Sequence, residues 1–98
     1  MKLTGFEWDD GNWPKCGKHG VTREEIEQFF VSAKVAPDIK HSVHEPRFIA
    51  VGRNRFGRPM FVAFAIKDVQ GGLHVIRPIS ARFMHLKEVI RYEEGSNP

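Results

Sequence analysis

Two hydrophobic periods divide this chain into predicted helices and predicted strands. Between residues 23 and 32, the apolar side chains of Ile26, Phe29 and Phe30 recur three and four positions apart, which predicts a helix with one buried face. Three later segments are rich in β-branched and aromatic residues and predict strands, at residues 48–52, 59–66 and 73–79. The helical period returns from Ala81 onwards, with an apolar face of Phe83, Leu86, Val89 and Ile90.

Weaker signals predict the remaining elements. Thr22 and Glu25 have the spacing of a capping box, which marks the start of the helix at residues 23–32. Because Pro78 has no N–H to donate to a ladder, it predicts a sheet edge or a bulge near the end of its strand. The other predicted elements are a strand at residues 6–8, a helix at 13–18 that ends at Gly20, an extended segment at 34–37 and a loop or frayed strand at 38–46.

In chain order these elements read β-α-α-β-β-β-β-α, which predicts a small α+β domain. An antiparallel sheet is accompanied by two N-terminal helices and one C-terminal helix, and residues 53–57 connect two of its strands as a hairpin. The 98 residues are too few for a second core, so residues 1–98 are expected to form one domain. Residues 94–98 are expected to fray.

The composition is that of a globular protein, with 41% hydrophobic and 28% charged residues. The longest apolar stretch, Met60 to Ile66, is far shorter than the roughly 20 residues that a membrane-spanning helix needs. The N-terminus lacks the apolar region of a signal peptide. A single cysteine, Cys16, excludes an internal disulfide and suits a reducing compartment. A cytoplasmic location without membrane association is therefore expected.

Positive charge is concentrated in the second half of the chain. Residues 34–92 contain eleven Lys and Arg but four Asp and Glu, a net charge of 11 − 4 = +7, whereas the whole chain has +3. Such a surface favours a polyanionic partner, either a nucleic acid or an acidic protein. The alternative is an ordinary basic surface, because net charge alone does not report function.

The segment that leads from the last predicted strand into the last helix carries Arg82, His85, Glu88 and Tyr92. Steps of three and four residues bring these side chains close to one stripe of a helix. A cation, an imidazole, a carboxylate and a phenol are groups that a phosphodiester-cleaving site uses. The alternative is a solvent-exposed face on which Glu88 pairs with Arg91 or Tyr92.

Arg77 and Arg82 flank the same predicted junction, where converging cations repel one another unless an anion offsets them. Two other clusters combine cations with a second useful group: Lys15, Lys18 and His19 near a predicted helix end, and Arg53, Arg55 and Arg58 around Phe56 at the hairpin. The first cluster favours proton transfer or a helix cap. The second favours phosphate contacts with a stacked base, or a solvated turn.

His41 and His44 raise the question of a metal site, since two histidines with nearby carboxylates can supply nitrogen and oxygen ligands. Their spacing is short, and a loop does not hold both rings on one side. The sequence therefore predicts no metal site, and a surface loop with functional side chains is the favoured interpretation.

An ordered set of short motifs extends over nearly the whole chain, from Phe6 to Glu94. Its members are Phe6-Glu-Trp-Asp9, Lys18-His-Gly-Val21, the helix with Glu24, Glu25, Phe29 and Phe30, His41-Ser42 with Glu45 and Arg47, Ile49-Ala-Val-Gly52, Gly57-Arg58, and Ile79-Ser-Ala-Arg82 with Glu88 and Tyr92. This set resembles the BrnT family, which are small ribonuclease toxins of bacterial toxin–antitoxin pairs. Pro14 in a shortened first segment, Arg77-Pro78 and His85 depart from the family's usual pattern.

The resemblance implies a RelE-like fold and a metal-independent endoribonuclease that inhibits translation until a small BrnA-like, DNA-binding antitoxin binds it. The resemblance implies no cofactor for this enzyme. The candidates for catalysis are His19, Arg47, Arg77, Arg82 and His85. The candidates for substrate binding are Lys15, Lys18, Arg53, Arg55, Arg58 and Tyr92. The alternative is a non-catalytic member of the same fold that binds RNA or only a protein partner.

Overall fold

Five strands and two α-helices make up the part of the chain that the computed structural model describes, the backbone of residues 2–95 and the side chains of residues 3–93. In order they are β1 (Lys2–Phe6), α1 (Arg23–Phe29), β2 (Lys34–Pro37), β3 (Phe48–Arg53), β4 (Pro59–Val69), β5 (Leu73–Phe83) and α2 (Leu86–Gly95). The tail predicted to fray, residues 94–98, lies outside the described side chains, although α2 includes the backbone as far as Gly95. No helix within residues 2–95 is both long and apolar enough to cross a membrane.

The five strands form one mixed sheet in the order β1-β5-β4-β3-β2. Strands β2 to β5 are an antiparallel meander that begins at one edge, and the predicted hairpin between β3 and β4 is confirmed. The prediction of an all-antiparallel sheet is wrong, because β1 pairs with β5 in parallel. After β1 the chain passes through α1 to the opposite edge of the sheet, where β2 lies. The meander then runs back across the sheet until β5 pairs with β1.

The helix predicted at residues 13–18 is absent from the described residues, so the predicted order with three helices is wrong. A single 3-10 turn at Lys15–Gly17 takes its place, after a cis peptide bond at Pro14. The reason is a tertiary anchor: Asn12 is buried, and its Nδ2 donates to the carbonyl oxygens of Glu7 at 2.9 Å and Pro78 at 2.8 Å. Those bonds hold the segment against β5 in a compact turn.

Strand β5 is longer than predicted and continues to Phe83, which lies opposite Met60 of β4. The register shifts between Ala63 and Phe64, where Ser80 and Pro78 are their partners, so Ile79 forms a bulge. The bulge predicted at Pro78 is therefore confirmed, whereas the sheet edge is not, because β5 lies between β1 and β4. Since β4 has eleven residues, it provides β5 with partners along its whole length.

Helix α1 covers one face of the sheet and begins with the predicted capping box. Thr22 Oγ1 accepts from the Glu25 N–H, and Glu25 Oε1 accepts from the Thr22 N–H, both at 3.1 Å. Ile26 and Phe29 are buried against the sheet, where each contributes about 1.5–3 kcal/mol. Gly52 permits this close approach, because a Cβ there would lie 3.3 Å from the Phe29 ring.

Helix α2 lies over the opposite face, which carries Phe61 of β4 and Arg82 of β5. Glu88 contacts Arg82, Glu93 contacts Arg53 of β3, and Lys34 of β2 lies 5.6 Å from the Tyr92 ring centroid; these contacts tie α2 across the sheet. The predicted apolar face of this helix is only partly covered. Leu86 is 75% exposed and Ile90 is 48% exposed.

Candidate functional site

A cleft of about 300 Å³ opens where β5 ends, beside the β3–β4 hairpin. Six residues from three parts of the chain line it, and four of them have polar side chains: His19, Arg58, Arg82, Phe83, Met84 and His85. Four of these were predicted from sequence as candidate site residues. The cleft therefore places two imidazoles and two guanidinium groups around one space.

Arg82 lies on β5 and points away from the α1 face, opposite Phe61. Its position in the first turn of the last helix, as the sequence predicted, is wrong, because the strand continues to Phe83 and α2 begins at Leu86. The guanidinium lies 4.6 Å from the centroid of the Phe61 ring, so one of its faces is covered. Arg82 is thus held at the edge of the cleft by the rigid sheet.

Glu88 is the anionic partner of Arg82. Its two carboxylate oxygens accept from Nη1 and Nη2 of Arg82 at 2.7 and 2.8 Å, in a bidentate arrangement. Glu88 also accepts from the backbone N–H of His85 at 2.9 Å, at the start of α2. The hydrogen bonds from Arg82 and then from His85 lower the pKa of Glu88 to about 2, and the same pairing raises the pKa of Arg82. In the alternative interpretation of the sequence, Glu88 pairs with Arg91 or Tyr92. The structure instead pairs it with Arg82 and His85.

Arg58 lies across the cleft, directly before β4. Its guanidinium carbon stands 3.5 Å from the centroid of the Phe83 ring, a stacked cation–π arrangement. Among the side chains of residues 3–93, no carboxylate forms an ion pair with Arg58. Its exposed charge is therefore available to an anion that enters the cleft.

The two histidines of the cleft are both exposed. His19 precedes Gly20, whose φ of 91° lets the chain turn towards α1. His85 stands directly before α2, in the two-residue connection after β5. Two accessible imidazoles on one cleft are a suitable pair for moving protons to and from a bound substrate.

Arg77 and Arg47 lie outside this cleft. Arg77 donates to Glu7 at 2.9 Å and to both carboxylate oxygens of Asp9 at 2.9 Å, and this pairing lowers the pKa of Asp9. On β4, the partner of Arg77 is Ala65, four residues from Phe61, which is the partner of Arg82. Four residues of a strand span roughly 13 Å. Arg47 Nε lies 3.5 Å from Glu45, which also binds Lys67.

The predicted substrate-binding residues have different surroundings. Lys15 and Lys18 are exposed on the turn that leads to His19. Arg53 donates to the Gly57 carbonyl at 2.8 Å and pairs with Glu93, and the Arg55 guanidinium lies 4.8 Å from the Phe56 ring centroid. Tyr92 lies on α2, is half-buried and contacts Lys34. Of this group, only Arg58 lines the cleft itself.

Asn54 was missed by the sequence analysis, although it shapes the hairpin beside the cleft. It is only 6% exposed, and its Oδ1 accepts from the N–H groups of Phe56 at 3.0 Å and Arg58 at 2.9 Å. Its Nδ2 donates to Glu25 of α1 at 2.8 Å. The sequence Asn54-Arg-Phe-Gly57 contains a local signal for this turn, because asparagine side chains often bond to backbone groups two residues further on.

A metal site at His41 and His44 finds no support in the described part of the chain, where no group of three or more His, Cys, Asp or Glu side chains is placed to hold a metal ion. His41 Nδ1 instead lies 2.9 Å from Asp38 Oδ2 in an exposed surface pair.

Comparison with known proteins identifies the family. No sequence among curated proteins matches the chain. The family model described as ribonuclease toxin, BrnT, of type II toxin–antitoxin systems matches residues 8–88, most of the 98 residues, and confirms the resemblance inferred from the ordered motifs. The matched range includes both ends of the cleft, His19 and His85. The chain therefore belongs to the BrnT family of ribonuclease toxins.

Proposed function

We propose that this protein is a metal-independent endoribonuclease that cleaves RNA in the cleft of His19, Arg58, Arg82 and His85. The observation that carries the proposal is the convergence of two exposed imidazoles and two guanidinium groups on one space of about 300 Å³. The family match supplies the reaction class and, with it, an RNA substrate. Cleavage of cytoplasmic RNA inhibits translation until an antitoxin binds the protein.

The chemistry needs three contributions from these side chains. One imidazole removes the proton of the RNA 2′-OH, the 2′-oxygen forms a bond to phosphorus, and the bond from phosphorus to the 5′-oxygen breaks as the second imidazole protonates that oxygen. The products are a 2′,3′-cyclic phosphate and a 5′-hydroxyl. Arg82 and Arg58 stabilise the additional negative charge that develops on the phosphoryl oxygens. Both assignments of His19 and His85 as base and acid are compatible with this scheme.

Arg82 can serve this role without losing Glu88. A guanidinium has five N–H donors, and the bidentate pair with Glu88 uses one on Nη1 and one on Nη2. Three donors remain for a phosphate, while Glu88 and the Phe61 ring hold the planar group in place. Lys15 and Lys18, on the turn before His19, would contact the RNA backbone on either side of the cleaved bond.

A second candidate function is a non-catalytic module that binds RNA or only a partner protein. The specific observation in its favour is the apolar surface of α2, where Leu86 is 75% and Ile90 is 48% exposed. Within the first proposal the same surface would help to bind the antitoxin. A type II system implies such a partner, and we propose a small BrnA-like, DNA-binding protein.

The two functions are separated by incubating the purified protein with a defined single-stranded RNA in excess chelator. The first proposal expects cleavage with 2′,3′-cyclic phosphate and 5′-hydroxyl ends, and growth arrest with reduced amino-acid incorporation when the protein is expressed without an antitoxin. Binding of the RNA without any cleaved product, together with normal growth, would favour the second function. Cleavage that chelator abolishes would contradict metal independence.

A further inference from the structure

We propose that the tip of the β3–β4 hairpin, residues 54–57, binds an unpaired nucleobase on the ring of Phe56, so that the substrate is single-stranded RNA. This inference rests on the proposed function, because it assumes that RNA occupies the neighbouring cleft. Phe56 is 72% exposed, and every other Phe, Tyr or Trp ring among residues 3–93 is buried or half-buried. An isolated exposed side chain is common on protein surfaces, but the Phe56 ring also lies on a hydrogen-bonded turn and beside arginines.

The hairpin tip is held in one shape by hydrogen bonds that are independent of any ligand. Asn54 Oδ1 accepts from the N–H groups of Phe56 and Arg58, and the Asn54 N–H donates to the Arg58 carbonyl at 3.0 Å. Gly57 has a φ of 81°, which glycine adopts without strain, and its carbonyl accepts from Arg53. A ring on such a fixed turn loses little conformational entropy when a planar ligand stacks on it.

The charge around Phe56 fits a nucleic acid better than a protein. Arg55 lies 4.8 Å from one side of the ring, and Arg53 and Arg58 flank the base of the turn. A protein partner would favour a contiguous apolar patch, whereas phosphates beside a stacked base favour alternating cations and an aromatic ring.

The hairpin also separates two clefts. The first is the proposed catalytic cleft, which Arg58 lines. The second has about 350 Å³ and lies between α1 and the hairpin, lined by Gln28, Phe29, Val31, Ser32, Arg53, Asn54 and Arg55. An RNA strand that continues from the first cleft into the second passes over the tip. Its base there must expose a face to Phe56, which a base inside a duplex does not do.

The experiment measures binding of a short RNA with 2′-O-methyl groups, which removes the attacking hydroxyl, as a single strand and as a duplex. Phe56→Ala is expected to weaken single-strand binding by roughly 5- to 100-fold, the size of one base–aromatic stack, and Phe56→Trp is expected to restore it. The matched control is Ile39→Ala, an 85% exposed apolar residue beyond the other end of β3. The control should bind as the wild type does.

Salt dependence separates stacking from charge. Phe56→Ala should leave the slope of log K against log salt unchanged, whereas Arg55→Ala should reduce its magnitude by about 0.7 if Arg55 neutralises one phosphate. An unchanged single-strand affinity in Phe56→Ala, an equal loss for duplex and single strand, or a failure of Phe56→Trp to restore binding would each overturn the inference. Melting temperatures equal to that of the wild type confirm that these variants are folded.

The inference and the proposed function fail in different ways. If the wild type cleaves RNA while Phe56→Ala binds single strands normally, the inference fails and the proposed function remains. If the wild type cleaves no RNA but its single-strand binding depends on Phe56, the proposed catalysis fails and the stacking site remains.

Discussion

Arg77 and Arg82 extend from the same strand on the same face of the sheet, yet their surroundings differ in charge. Arg77 is 20% exposed and is enclosed by two carboxylates, those of Glu7 and Asp9. Arg82 has one carboxylate partner, Glu88, and lies beside a cleft with two histidines. A basic residue is therefore a candidate for binding an anion only after the carboxylates around it have been counted.

The same contrast extends to the neighbours of each arginine. At the end of the sheet that holds Arg77, Glu45 pairs with both Arg47 and Lys67, and those bonds, first of all the one from Lys67, lower the pKa of Glu45. Near Arg82, Arg58 has an aromatic ring as its neighbour and no ion pair among residues 3–93. The basic second half of the sequence therefore divides into a neutralised end and an end that can attract a polyanion.

The largest expected effect separates the two arginines by activity. Arg82→Ala should lower the rate of RNA cleavage by roughly 10²–10³-fold, because it removes a donor that stabilises the charged phosphoryl oxygens. The Arg82–Glu88 pair is about one-third exposed on each side, so its loss should cost at most about 1 kcal/mol of stability. Single-turnover cleavage and thermal unfolding measure the two quantities. Full activity in a folded Arg82→Ala protein would remove Arg82 from the site.

The histidines are expected to have the next largest effect. His85→Ala should lower cleavage by roughly 10²-fold, the lower end for one general acid or base, and should remove one limb of the pH–rate profile. His19→Ala should remove the opposite limb. The double variant tests whether they act as a unit, since residues of one mechanism are not additive. An unchanged pH profile in both single variants would exclude them from proton transfer.

Arg77→Ala is the matched control for Arg82→Ala and should differ from it in activity, with a stability loss of similar size. Cleavage should stay close to that of the wild type, whereas the melting temperature should fall by about 4–8 °C for each 1 kcal/mol lost. The expected loss is about 1 kcal/mol, because Glu7 and Asp9 are themselves 41% and 55% exposed. A loss of activity as large as that of Arg82→Ala, at equal stability, would show that the comparison between the two arginines is mistaken.

The smallest expected effect is a pH dependence of stability at Glu88. Its pKa falls from the usual 4.5 to about 2 in the folded protein, mainly through Arg82. A depressed pKa stabilises the fold fully above pH 4.5, and this contribution disappears as the pH falls through about 2. The difference in unfolding free energy between wild type and Glu88→Gln should therefore shrink over that interval. A difference that is constant from pH 6 to pH 2 would contradict the pairing.

The features that sequence predicted well depend on neighbours along the chain. The capping box at Thr22, the hairpin between β3 and β4, and the bulge at Pro78 each arise from local chemistry. The candidate cleft was also partly predicted, since His19, Arg58, Arg82 and His85 were all chosen from their local motifs.

The features that sequence missed depend on distant partners. The amide of Asn12 bonds to the carbonyl of Pro78, 66 residues away, and this contact replaces the predicted helix at residues 13–18. The carboxylates that bind Arg77 lie 68 and 70 residues away along the chain. The local sequence around Arg77 therefore shows an excess of cations but not the anions that neutralise it. Strand β5 continues past Ser80 because β4 supplies partners, although the local pattern there favoured a helix.

Glu88 couples the position of α2 to the ligands of Arg82. Its carboxylate binds both the Arg82 guanidinium and the N–H of His85, directly before α2. Any ligand that competes with Glu88 for Arg82 must also alter the attachment of α2 to the sheet. Thermodynamic coupling is reciprocal. A partner that moves α2 should therefore change phosphate binding at Arg82 by the same factor by which phosphate changes the affinity of that partner.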